Sequence, residues 1–153
     1  GDVEVFVSNN AGQVHGWHHD GTAVSGWPQV GAPYMFGGPS IGDIDGDGKN
    51  EMIAAAYSSG LWLLRPGADP SAKWKAELID RDSGGIEHAA MLTDLDGDGV
   101  VELYVASDRH KEVRRYVWDG RRMKREIIYK RPDDRSIITW NLVPIPVELI
   151  PKK

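Results

Sequence analysis

Apolar residues in this chain come in short runs that end at Gly, Pro, Asp or Ser. Such runs are Val3-Glu-Val-Phe-Val-Ser8, Gln13-Val-His-Gly-Trp17, Met52-Ile-Ala-Ala-Ala-Tyr57, Gly60-Leu-Trp-Leu-Leu64 and Leu103-Tyr-Val-Ala-Ser107. Runs of this length, rich in β-branched and aromatic residues and bounded by turn formers, predict strands rather than helices. The same pattern predicts shorter strands at Pro39-Ser-Ile-Gly42 and Ala89-Ala-Met-Leu-Thr93, and further ones at 23–28, 74–79, 112–118 and 124–129. Eighteen Gly and nine Pro interrupt the chain too often for long helices. The reading is an all-β protein.

The strands recur in order. Glu4, Glu51 and Glu102 each open an apolar run, at a spacing of roughly 50 residues, and each run is followed by a turn, an aromatic strand, another turn and a last strand. Four short antiparallel strands per repeat is the pattern of a β-propeller blade, and the chain holds about three. A single repeat domain is expected, with units at 36–84 and 85–135 and a third from 1–35 completed by 136–150. Residues 136–143 begin like the first strand of a unit. The expectation is that they pair beside residues 3–8, or that the chain is an excerpt of a longer propeller. Strand edges left open favour association.

Before the second and third of these runs lies an acidic loop, Asp43-Ile-Asp-Gly-Asp-Gly-Lys-Asn-Glu51 and Asp94-Leu-Asp-Gly-Asp-Gly-Val-Val-Glu102. Carboxylates stand at loop positions 1, 3, 5 and 9, with glycine at position 6. Such a cluster repels itself unless a hard cation gathers it, and Ca²⁺ takes six to eight oxygens in irregular geometry. Glycine allows the sharp reversal that turns alternate side chains inward and offers the position-7 carbonyl. A solvated acidic turn uses the same residue types; two copies in matching contexts decide for two Ca²⁺ sites. An EF-hand does not fit, because Ala54 and Val105 stand where its bidentate Glu belongs and strands flank the loops. Each loop should join the first two strands of a unit.

These loops, the Phe36-Gly-Gly-Pro-Ser segment and the Asp20-Gly to Gly26-Trp-Pro turn together resemble the FG-GAP or VCBS-type repeats, the calcium-binding propeller family of integrin α-subunit heads and many bacterial surface proteins. The resemblance weakens after Pro132. It implies ligation by the side chains of Asp43, Asp45, Asp47 and Glu51 with the Lys49 carbonyl, and by Asp94, Asp96, Asp98 and Glu102 with the Val100 carbonyl. Glu in place of the family's Asp at position 9 changes the reach of that ligand. Asn141 falls where a loop Asp belongs, but Val143 and Ile145 replace the next ligands, so no calcium is expected there.

Charge and composition narrow the partners. Eight of the 23 acidic residues lie in the two loops, which accounts for the formal net charge of −5. Residues 109–135 hold 11 Lys and Arg against five Asp and Glu, but Glu112, Asp119 and Glu126 interrupt them and no nucleic-acid motif is present. Solvated outer strands are the expectation there. The chain has no cysteine, so neither disulfides nor thiolate metal sites arise. No apolar stretch approaches the ~18 residues that span a bilayer, and no signal peptide is visible.

His15, His18 and His19 read as turn histidines rather than metal ligands. Glu87 and His88, ahead of a first strand, are the most plausible functional pair outside calcium. The six tryptophans recur by repeat and are assigned to packing, with sugar stacking on one or two as the alternative. The sequence therefore predicts a non-catalytic module for extracellular, cell-surface or periplasmic adhesion or recognition of a protein or glycan. It should be a homo-oligomer or part of a larger propeller, with no nucleic-acid partner and no membrane insertion. A carbohydrate-binding lectin and a fragment of a calcium-dependent polysaccharide lyase are the alternatives.

Overall fold

The computed structural model describes residues 4–31, 35, 37–56, 59–83, 89–133, 135, 137–139 and 141–150, with the backbone alone at 54–56. Strands β1 (Val5–Ser8), β2 (Gln13–Trp17) and β3 (Gln29–Val30) form the first sheet. Strands β4 (Ser40–Gly42), β5 (Glu51–Ala56), β6 (Gly60–Arg65) and β7 (Lys75–Asp80) form the second. Strands β8 (Ala90–Thr93), β9 (Glu102–Ser107), β10 (Glu112–Trp118) and β11 (Met123–Lys130) form the third. All three are antiparallel meanders, each strand paired with its neighbour in the chain. Helix among the described residues is confined to single 3-10 turns at Asp108–His110 and Val147–Leu149.

The second and third sheets share their register. Met52 lies opposite Leu64 as Leu103 lies opposite Tyr116, and the last strand slips by one residue at the same place in both. The slip falls at Ile79 in β7 and Ile128 in β11, each a bulge that lets an outer strand twist away from its partner.

The second sheet is covered on both faces, which is why Gly60-Leu-Trp-Leu-Leu64 shows no polar alternation. Ile53, Leu61 and Leu63 pack with Leu103, Val105 and Tyr116 of the third sheet, together with Ile44 of the first acidic loop. On the other face Met52 and Leu64 pack with Val14 and Met35, flanked by Phe6, Trp27, Trp62 and Trp74. Burial of each such leucine contributes about 1.5–3 kcal/mol.

Different chemistry joins the sheets on the two sides. Between the first and second, the buried Gln29 side chain donates to the carbonyls of Gly26 and Ala72 at 2.8 and 2.9 Å. Its carbonyl accepts from the Trp74 amide at 2.9 Å. A Cβ on Gly26 would stand 1.9 Å from the Ser71 carbonyl, and Gly26 has φ +84°. Only glycine fits there. Trp27 lies between Phe6 and Trp74, with ring centroids 4.6 and 5.2 Å away.

Between the second and third sheets, ionic contacts add to the apolar cluster. Tyr116 donates to Asp80 at 2.7 Å, and buried Arg114 donates to the Asp82 carbonyl at 3.0 Å. Arg125 reaches Asp80 and Asp82 at 3.1 and 3.0 Å. Burial pushes the Tyr116 hydroxyl up to about 12.

Two expectations change. The strand expected at 23–28 is a turn with one isolated bridge, Trp17 to Ala23, and the strand falls instead at β3. The positive φ of Gly26 and its contact with Ser71 break the extended run. Residues 137–139 and 141–146 form no strand beside β1. Thr139 instead donates its amide and hydroxyl to Asp108 at 2.7 and 2.8 Å, which holds this segment against the third sheet. The first sheet accordingly has three strands.

Truncating Gln29 leaves the Trp74 amide and two carbonyls without a partner at a buried joint. Gln29→Ala is expected to cost about 1–3 kcal/mol, read as a lower midpoint in urea unfolding with the slope unchanged.

Candidate metal centres

Each acidic loop joins the first two strands of its sheet, β4 to β5 and β8 to β9. Loop formation rests on amides that turn inward. In the first, Gly46 and Asp47 donate to Asp43 Oδ1 at 2.8 and 3.1 Å, and Gly48 donates to Asp43 Oδ2 at 2.9 Å. In the second, Gly97 and Gly99 donate to the two oxygens of Asp94 at 2.7 and 2.9 Å. Gly48 and Gly99 hold φ of +85° and +89° in open space, so backbone conformation rather than crowding calls for glycine.

The turn brings together Asp43, Asp45 and Glu51, and in the second loop Asp94, Asp96 and Glu102. One carboxylate oxygen from each residue lies within 4.8 Å of the others in its group, close enough for the group to hold a metal ion. The donors are all oxygen, which suits a hard cation such as Ca²⁺. Asp47 and Asp98 stand outside these groups and accept from the Lys49 and Val100 amides at 2.9 and 2.8 Å. Lys49 Nζ lies 3.5 Å from Asp47.

The position-9 glutamates are the buried members. Glu51 is 1% exposed and Glu102 is 2% exposed, as first residues of their strands. Glu51 accepts from the Ile44 amide at 3.2 Å, and Glu102 accepts from the Tyr104 hydroxyl at 3.0 Å. Burial pushes the Glu51 carboxyl up, and Asp45 adds to this; the Ile44 amide and the Arg65 guanidinium oppose it.

Two arginines that the loop spacing gives no sign of reach these groups. Arg65 Nη1 donates to Asp45 and lies 3.7 Å from Glu51. Arg115 Nη1 lies 3.7 Å from both Asp96 and Glu102. Each guanidinium supplies part of the counter-charge that its carboxylate group calls for. The residues fit a divalent ion on that ground as well as on donor type.

Residues 43–105, which run from the first aspartate of one loop to the fourth residue of β9 after the other, match the family model for the FG-GAP-like repeat. This stretch is similar to an FG-GAP-like repeat. No curated protein and no solved structure matches the chain. The matched stretch takes in both carboxylate groups and strands β5, β6 and β7 of the second sheet, where the loop resemblance is densest.

Other sites read from the sequence fare differently. Glu87 and His88 lie outside the described residues, as do Phe36 and Trp140. His15 stacks on Trp17 with centroids 5.5 Å apart, and His18 lies 3.6 Å from Glu4. Neither histidine belongs to a metal-holding group among the described residues. Much of the basic stretch is paired: Arg115 with Glu126, Lys124 with Asp119, Lys130 with Glu112 and Arg135 with Asp133.

The raised Glu51 carboxyl has a signed consequence for the metal-free protein. The folded state holds this proton more tightly than the unfolded one. The stability it supplies is therefore complete below the ordinary Glu range and lost as pH rises through the raised folded value. Glu51→Gln should then melt above the wild type in chelator at neutral pH. In calcium it should lose the first loop's metal-dependent gain, about 2.7 kcal/mol for one site at a hundredfold excess over Kd. Thermal melts in chelator and in calcium check both signs.

Proposed function

We propose that this chain is a non-catalytic calcium-binding β-propeller module, with its three sheets as blades, that serves adhesion or protein and glycan recognition outside the cell. The observation that carries this reading is the paired convergence of Asp43, Asp45 and Glu51 and of Asp94, Asp96 and Glu102 within the FG-GAP-like repeat. Asp47 and Asp98, with the Lys49 and Val100 carbonyls, complete the two ligand sets that the family resemblance implies. Extracellular calcium is abundant enough for loops of modest affinity. Among the described residues no helix is long and apolar enough to cross a membrane.

A Ser-His-Asp string in the third sheet does not weaken the non-catalytic reading. Ser107 Oγ lies 3.0 Å from His110 Nδ1, and His110 Nε2 lies 3.1 Å from Asp82. Ser107 is 0% exposed, so its hydroxyl cannot meet a substrate. The string acts as an internal brace beside the Arg114 network.

Half-exposed apolar side chains on the outer sheets favour association, either as a homo-oligomer or within a larger propeller. Val5, Val7 and Val30 on the first sheet and Ile127 and Tyr129 on the third are 48–55% exposed.

Asp96→Ala should lower the melting temperature in calcium and change it little in chelator, whereas Asp45→Ala should lower it in both, more so in calcium, because it also leaves Arg65 without its close partner. An equal loss in both conditions would assign the aspartates to the turn alone. In sedimentation velocity with millimolar calcium, the chain should form a compact assembly that loosens in chelator; a monomer in both conditions would count against self-association.

One observation favours a carbohydrate-binding lectin as the second reading. A cleft of about 450 Å³ between the first two sheets is lined by Phe6, Trp27 and Trp74, with Asn50, Asp69 and Ser71 among its polar groups. Aromatic faces beside hydroxyl and amide groups suit a sugar ring. Oligosaccharides should then quench tryptophan fluorescence, and Trp74→Ala should abolish the quenching. Unchanged fluorescence across a glycan panel would remove this reading.

A further inference from the structure

We propose that Arg65 is a tethered competitor for the metal at the first loop, so that the two loops bind calcium with unequal affinity and the first is the weaker. The inference rests on the calcium reading above. Arg65 Nη1 donates to Asp45 and stands 3.7 Å from Glu51, two of the four carboxylates proposed to hold the ion. The guanidinium is held there from the far side. Its Nε lies 3.6 Å from Glu77, and its carbon stands 5.1 Å over the Trp118 ring of the third sheet.

A guanidinium stays charged at any working pH. A divalent ion arriving on the same oxygens must displace it or bind against its repulsion. Water offers little relief, because Arg65 and Asp45 are only 19% and 13% exposed and Glu51 is 2% exposed at the side chain.

The second loop provides the internal comparison. Arg115 also points a nitrogen at its carboxylates, but at 3.7 Å from Asp96 and Glu102 alike. Its close partner lies elsewhere: Nε and Nη2 reach Glu126 Oε2 at 3.1 and 2.8 Å. Asp96 is also 52% exposed, so solvent screens the pair. Arg115 can stay on Glu126 while calcium binds; the closest carboxylate to Arg65 is Asp45 of the site itself, and Glu77 stands farther off at 3.6 Å. Partners just outside a metal's ligands commonly change affinity by about 10–100-fold, which is the scale expected here.

The test is calcium titration calorimetry on the full chain. The wild type should show two sites of unequal affinity. Arg65→Met should tighten the weaker one by about tenfold, Arg65→Lys should leave it near wild type because the charge remains, and Arg115→Met should change the stronger site less. Arg65→Gln reads the same quantity if the methionine variant does not fold. Two-site binding with constants unmoved by Arg65→Met and Arg65→Gln overturns the competitor role and leaves the calcium reading standing. No binding to wild type or variants overturns both.

Discussion

A carboxylate at the head of a strand that enters the core has to be compensated where it stands, because little water reaches it. Glu51 and Glu102 impose that requirement. Each stands where an exposed loop becomes a covered strand, so the compensation must come from the loop or from the neighbouring strand. The loop answers with amides turned inward and with further carboxylates that could share a cation. The neighbouring strand answers with an arginine. Loop, strand and counter-charge therefore form one electrostatic unit, repeated in two sheets, and the packing of the sheets follows from where that unit ends.

The middle sheet shows what this arrangement permits. With its charge settled at one end, β5 and β6 can be apolar on both faces and accept a sheet on each side. The aromatic and amide joint toward the first sheet and the ionic joint toward the third are alternative ways to fill equivalent positions. Trp62 and Arg114 stand one residue past the bulge in their sheets. One carries an indole that packs against the Val14, Met35, Met52 and Leu64 cluster, the other a guanidinium that meets Asp82. Repetition of the backbone does not demand repetition of the chemistry.

Much of this was legible in the chain. Short apolar runs located nearly every strand, because strand formation here depends on burial that leaves a direct mark on composition. The acidic loops were legible for the same reason: their residues are adjacent in sequence and act locally. What escaped was non-local. The strand expected at 23–28 gave way because Gly26 meets Ser71, a contact between distant residues. Arg65 and Arg115 reach the loops from neighbouring strands, and only strand pairing places them there. The apolar tail had the composition of a strand, but its Thr139 bonds Asp108 rather than a strand edge.

The contrast between the two joints makes the stack mechanically uneven. Hydrophobic contact strengthens in the presence of excluded salts, whereas exposed ion pairs are screened by any salt. Gln29 and the aromatic trio hold the first joint without net charge. Asp82 and Arg125, at 61% and 39% exposure, sit on the rim of the second. Rising ionic strength therefore weakens the exposed rim of the second joint, while its apolar cluster and the uncharged first joint hold, so salt loosens the two sides of the middle sheet unequally.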